Sequence, residues 1–182
     1  MSVELKGNSG TFFAEGITSF QINQLIHYSR QDLHVRHFTS DAKRFSGTEE
    51  YYDWLKKGKA IYTLSNTKGD LSGIIWFAAR SVPEANFTED LNPSDYFLTF
   101  AIRMYSSVRG KGLGGDFINT ALKKFKDRFM TEDLAIWLEV SEDNAPAINL
   151  YNRVGFKKVT QPNNKGKVIM INNLSSNWVL LK

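Results

Sequence analysis

The order of periodicities along this chain predicts an α/β layer fold with a mixed sheet. Three observations carry that prediction: two capped amphipathic stretches near the start, a long alternating run over residues 96–106, and a glycine-dense turn that leads from this run into an apolar stripe of helical spacing. No linker-like shift in composition and no repeat interrupts the chain, so its 182 residues read as a single domain.

The first helix is predicted over about 19–30, where Thr18 and Gln21 form a capping box and Ile22, Leu25 and Ile26 share a stripe. The stretch SGTEEYYDWLKKG repeats the pattern, with Ser46 and Glu49 at its start, Tyr51 and Leu55 on one face and Gly58 as a stop. Residues 59–80 read as a hairpin around a Lys68-Gly69-Asp70 turn. The next stretch, 81–95, is polar, contains Pro83 and Pro93 and has no period, which makes it a loop.

In YFLTFAIRMYS the residues Tyr96, Leu98, Phe100, Ile102 and Met104 alternate with Thr99, Ala101, Arg103 and Tyr105, the pattern of a strand with two covered faces. Beyond the glycines, Phe117, Ile118, Ala121, Leu122, Phe125 and Phe129 recur at helical spacing to about residue 130. LAIWLEV is a buried strand. NAPAINLYNRVG is a short helix capped by Asp143 or Asn144, with Pro146 in its first turn and Gly155 at its end. FKKVTQPNNKGKVIMIN closes as a hairpin, and the apolar tail Trp178 to Leu181 is expected to dock on the body or on a second subunit.

Composition narrows the chemistry. The chain has no cysteine, which removes disulfides, thiolate metal ligands and cysteine nucleophiles together. Its 3 histidines, His27, His34 and His37, lie in no metal-ligand pattern, and HVRH reads as polar residues of a loop or helix end, so no metal is assigned. No run is long enough to span a bilayer and the start has no signal-peptide core, which points to a cytoplasmic protein without a membrane partner. A net charge of +4 suits an anionic ligand. The basic groups, however, interleave with Phe125 and Phe129 as a solvated helix face does, so nucleic acid is not the expected partner.

The stretch SSVRGKGLGGDF places a turn rich in glycine at the head of a helix, where free backbone N–H groups and the helix dipole favour a phosphate. Two readings compete. Gly110, Gly112 and Gly115 satisfy the dinucleotide fingerprint GxGxxG, which implies an oxidoreductase; Arg109, Gly112 and Gly114 spell RxxGxG, a pattern associated with coenzyme A. The dinucleotide reading needs further parallel βαβ repeats, and after LAIWLEV only one short helix and a hairpin remain.

Downstream, Asn144, Ala147, Leu150, Tyr151, Gly155 and Phe156 reproduce N-xx-A-xx-LY-xxx-GF, which resembles the motif of the GNAT superfamily of acetyltransferases. With the RxxGxG turn, the resemblance covers residues 96 to about 172 in the expected order. It implies a mostly antiparallel central sheet flanked by helices, with residues 1–95 shaping an acceptor site, 96–172 binding acetyl-CoA and 173–182 as a tail. The pyrophosphate would lie on the backbone of Gly110, Lys111, Gly112, Leu113, Gly114 and Gly115 beside Arg109, and the pantetheine arm along Ile102, Arg103 and Met104. The family often has proline three residues before the arginine; here Ser106 stands there.

The resemblance also implies roles. Tyr151 would be the acid that protonates the departing thiolate, or else a tyrosine packing the inner face of its helix. Asn144 would bond the pantetheine arm, cap the helix, or do both. LEV…N…A…LY is similar to ribosomal-protein alanine N-acetyltransferases, which makes Glu139 the candidate base against the alternative of a solvent-facing strand residue. The expected activity is acetyl transfer to a primary amine of a peptide N-terminus or small molecule, by a monomer or homodimer. A dinucleotide-binding oxidoreductase and a non-catalytic coenzyme A binding module are the alternatives.

Overall fold

The computed structural model describes residues 2–5, 10–88, 90–129 and 134–174. In chain order the elements are β1 (Ser2–Glu4), β2 (Phe12–Glu15), α1 (Ser19–Gln31), α2 (Leu33–Phe38), α3 (Asp41–Arg44), α4 (Thr48–Leu55), β3 (Lys59–Ser65), β4 (Leu71–Ala79), a 3-10 turn (Pro93–Asp95), β5 (Leu98–Met104), α5 (Leu113–Phe129), β6 (Leu134–Ser141), α6 (Ala145–Arg153), β7 (Lys157–Lys158) and β8 (Lys167–Leu174). The architecture is mixed α/β, with a mostly antiparallel sheet and flanking helices. No described helix is long and apolar enough to cross a membrane. The chain divides into two compact units, Met1–Phe77 with Ala101–Ala121, and Ala78–Phe100 with Leu122–Lys182. The apolar tail lies outside the described residues.

In the first unit the strands run in the order β1-β2-β3-β4-β5. Helix α1 begins with the expected capping box: Thr18 Oγ1 accepts from Gln21 N–H and the Gln21 side chain accepts from Thr18 N–H. Helix α4 begins differently from the expectation. Its cap is Gly47, with no side-chain hydrogen bond, so Ser46 and Glu49 do not form a capping box. HVRH lies within α2, a helix opened by Asp32. The β3–β4 connection is built as expected around Gly69, at φ +83°, while Asn66 Oδ1 accepts from the N–H groups of Lys68 and Asp70.

Both faces of this part of the sheet are covered. Ile22, Leu25, Val35, Phe45, Tyr51 and Trp54 from the N-terminal helices pack with Ile61, Ile74 and Trp76. On the alternate residues, Phe13 stacks with Tyr62 and meets Phe117 of α5 edge-on. Gly73 admits β5 closely: a Cβ there would lie 3.0 Å from the Arg103 carbonyl and 3.3 Å from both Met104 Sδ and Phe117 Cε1.

A buried ion cluster joins the helices to β5. Asp41, 1% exposed, takes Arg103 through two hydrogen bonds, from Nε at 2.5 Å and from a terminal nitrogen at 3.0 Å, and is also paired with Arg44. The Arg103 guanidinium lies 4.8 Å over the Trp76 ring. Burial alone would raise the Asp41 carboxyl, but the charges and hydrogen bonds of Arg103 and Arg44 outweigh it and hold it below the usual carboxylate range.

In the second unit the order is β5-β6-β8-β7. Strand β6 is parallel to β5 through Leu98 with Ile136 and Thr99 with Trp137, and antiparallel to β8 from Leu134 to Ser141. The strand starts at Leu98 and not at Tyr96: Tyr96 caps the 3-10 turn and packs with Trp137, Val159, Ile169 and Ile171. The 81–95 loop contains that 3-10 turn and is held down along the same cluster by Val82, Phe87 and Leu91 and by a Thr88 N–H to Val159 carbonyl bond of 2.9 Å.

Replacing Asp41 by Asn leaves Arg103 and Arg44 without their buried counter-charge and is expected to cost about 3 kcal/mol in urea unfolding. Because the folded pKa is depressed, the carboxylate's contribution is complete above its unfolded value of about 4 and is lost as pH falls through the folded value. The wild type should therefore lose stability on acidification in a step that the Asp41→Asn variant lacks.

Candidate active site

Strand β5 ends where the chain must reverse into α5, and the backbone between them is shaped by two glycines. Gly110 and Gly112 lie at φ +79° and +78°, the left-handed region that a side chain disfavours. Neither glycine is hemmed in, since a Cβ on either would meet nothing within 4 Å. Buried Val108 and Leu113 anchor the segment on both sides.

The turn's N–H groups fall into two sets. Those of Arg109 and Lys111 are used internally, on the carbonyls of Tyr105 and Val108 at 3.0 and 3.3 Å. Those of Gly110 and Gly112 have no acceptor among the described residues. Leu113, Gly114 and Gly115 open the 17-residue helix α5, whose first N–H groups have no intrahelical acceptor. Open space above converging donors at a helix N-terminus is a surface that an anion fits.

The side chains around the turn have partners within the protein. Arg109 donates from Nε and a terminal nitrogen to the Met104 carbonyl, at 3.2 and 3.0 Å, and pairs with Asp32 at 2.7 Å. Its guanidinium is thus engaged within the protein. Arg103 is engaged with Asp41, Ile102 is buried, and the N–H after Met104, that of Tyr105, donates to Ser72.

In the second unit, β6 supplies a different kind of opening. Its pairing with β5 stops at Trp137, while pairing with β8 continues to Ser141. From Leu138 onward the other edge of β6 has no strand partner among the described residues, which leaves alternate backbone N–H and carbonyl groups on that edge.

Tyr151, on α6, is 8% exposed and sets its ring against Phe100 and Phe156, each at a centroid distance of 6.0 Å. Strand register puts Phe100 on the face of Ile136 and Leu138. Glu139 shares the opposite face with Trp137, is exposed, and accepts from Asn163 Nδ2 at 3.4 Å. Tyr151 and Glu139 therefore flank β6 from its two sides. Asn144, buried, caps α6 with Oδ1 accepting from Ala147 N–H at 3.3 Å.

Residues 23–156 match the acetyltransferase (GNAT) family. The chain belongs to this family. Over 59 residues it is 36% identical to the N-alpha-acetyltransferase of Sulfurisphaera tokodaii, a match covering 32% of this chain and 34% of that protein, about a third of its length. Among solved structures it is similar to the ribosomal-protein-S5-alanine acetyltransferase from Vibrio fischeri, with a TM-score of 0.69 at 11% identity over 98% of this chain and 99% of that one. It is also similar to the spermidine N-acetyltransferase from Vibrio cholerae in complex with CoA and spermine, with a TM-score of 0.66 at 17% identity over 92% and 97%. At these identities the likeness is one of fold. Membership of the GNAT family sets aside the dinucleotide-binding oxidoreductase.

Three residues around the GNAT motifs were not singled out by sequence: Asp32, Asp41 and Asn163. Asp32 carried a usable signal, an N-cap residue ahead of LHVRHF. Asp41 and Asn163 act through partners far along the chain, which local pattern does not show.

The cap at Asn144 makes a separable prediction. Asn144→Ala should cost about 1 kcal/mol of stability by removing the acceptor, whereas Asn144→Asp should retain wild-type stability because Asp caps equally well. Chemical denaturation of the three proteins measures this, and equal losses in both variants would contradict a capping role.

Proposed function

We propose that this protein transfers the acetyl group of acetyl-CoA to a primary amine, with a peptide α-amine as the favoured acceptor. The observation that carries the reading is the turn at Gly110 and Gly112: left-handed, unobstructed, with the N–H groups of these two glycines unpaired among the described residues, and set at the head of α5. The name of the Sulfurisphaera tokodaii relative supports the α-amine. The coenzyme supplies an acetyl group activated as a thioester.

The backbone of residues 110–115 holds the pyrophosphate through its N–H groups, so sequence there matters for conformation more than for side-chain chemistry. The open edge of β6 beyond Trp137 offers hydrogen bonds to the amide-bearing pantetheine arm. The Asn144 amide nitrogen is a further donor to that arm, the cap using only Oδ1.

Tyr151 donates a proton to the leaving thiolate, its ring held by Phe100 and Phe156. Glu139 takes the proton of the attacking amine from the opposite face of β6, so acid and base do not compete for one position. The demand on that base depends on the acceptor: at pH 7 roughly one in ten α-amines is already neutral but only about one in 2,500 lysine ε-amines. An α-amine acceptor therefore asks less of Glu139 than a lysine would.

The test is turnover of acetyl-CoA against a panel of peptides, polyamines and aminoglycosides, with acetylated product identified by mass. Coenzyme binding with no transfer to any amine would favour a binding module. Tyr151→Phe is expected to lower kcat by roughly 10²-fold with the KM for acetyl-CoA little changed. Glu139→Gln should lose rate near neutral pH and regain it as pH approaches the acceptor's own pKa; a pH-independent loss would remove Glu139 from the role of base.

A further inference from the structure

Every hydrogen-bonding group of Asp32 is in use. Its N–H closes α1 on the Tyr28 carbonyl at 3.0 Å. Its Oδ1 opens α2, accepting from the N–H groups of His34 and Val35, both at 3.1 Å. Its Oδ2 takes the Arg109 guanidinium at 2.7 Å, with the Asp32 side chain 9% exposed and that of Arg109 34% exposed. One carboxylate therefore ties the α1–α2 elbow to the residue immediately before Gly110.

Arg109 carries the tie further. Two of its nitrogens converge on the carbonyl of Met104, the last residue of β5, while its own N–H and that of Val108 both bond the Tyr105 carbonyl at 3.0 Å. Tyr105 in turn packs on Tyr28 of α1 with ring centroids 4.5 Å apart. The planar fork of arginine allows one side chain to hold a carbonyl and a carboxylate together, which a lysine ammonium on its flexible stem does not reproduce. Charge-assisted bonds of this kind are about twice as strong as neutral ones.

We propose that Asp32 is a positioning residue for coenzyme binding: acting through Arg109, it fixes the end of β5 and the entry to the glycine turn, so that the α1–α2 elbow and coenzyme affinity are energetically coupled. This rests on the reading that the pyrophosphate of acetyl-CoA lies on the turn. The coupling has a sign. If the Arg109 guanidinium were instead a phosphate ligand restrained by Asp32, neutralising Asp32 would release it and tighten binding.

Asp32→Asn separates the two. Asparagine keeps the cap on α2, but the group it presents to Arg109 is no longer a charged acceptor. Calorimetric titration of the full chain with acetyl-CoA should show binding weakened about tenfold in Asp32→Asn and in Arg109→Gln, with the double variant no weaker than the worse single one, as expected for two residues on one path. Arg109→Lys is the second route: it retains the charge a phosphate would need but not the fork, and should weaken binding similarly. A wild type that binds and an Asp32→Asn variant that binds equally or more tightly would overturn the inference alone; equal affinity in Arg109→Lys would do the same. A wild type that does not bind acetyl-CoA would overturn the functional reading and this inference with it.

Discussion

Everything proposed for the first unit depends on one backbone constraint, the left-handed geometry of Gly110 and Gly112. A chain leaving β5 at Met104 and entering α5 at Leu113 has few residues in which to reverse, and two of them lie at positive φ. That conformation turns unpaired N–H groups outward at the helix start. A non-glycine residue would lie in a region costing on the order of 1–2 kcal/mol per position, although no neighbouring atom blocks its Cβ. The glycines therefore serve the conformation of the turn, and the absence of side chains leaves its donors uncovered. Gly114 and Gly115 lie within the helix and carry no such requirement.

The second unit reaches an opening by different means. Strand β6 pairs fully with β8 but only briefly with β5, so among the described residues part of its other edge is left without a strand partner. The alternation of a strand does the rest: adjacent positions face opposite ways, and Glu139 is separated from the side on which Tyr151 packs. Trp137 fixes the Glu139 face, its indole N–H donating to the Arg80 carbonyl at 2.7 Å with the Arg80 guanidinium 5.3 Å over the ring. An exposed carboxylate beside a rigid aromatic is a different environment from that of Asp41, whose charge is enclosed by two arginines. The first is open to solvent; the second is enclosed.

What the sequence discloses here is local. The Thr18 capping box, the Gly69 turn and the Asn144 cap were legible because each involves residues a few positions apart, and the family motif was legible because its letters keep a fixed spacing. An expectation failed where the local signal was ambiguous: Ser46 has the right chemistry for a cap, yet Gly47 takes the position. Tyr96 continues the alternation of β5 by chance, since it is the C-cap of the 3-10 turn Pro93–Asp95. The partners of Arg103 and Arg109 were not legible for another reason. Their partners, Asp41 and Asp32, lie 62 and 77 residues earlier, a distance at which only the folded chain shows which charges meet. In the folded chain both guanidinium groups are paired with carboxylates.

The central claim is that the backbone N–H groups at Gly110, Gly112 and Leu113 receive the phosphates of acetyl-CoA. Amide NMR of the labelled protein titrated with coenzyme A tests it most directly. Saturable shifts of these amide resonances, reproduced at higher concentration by inorganic pyrophosphate, are the predicted result. Saturation observed elsewhere in the spectrum while these amides stay unmoved would contradict it.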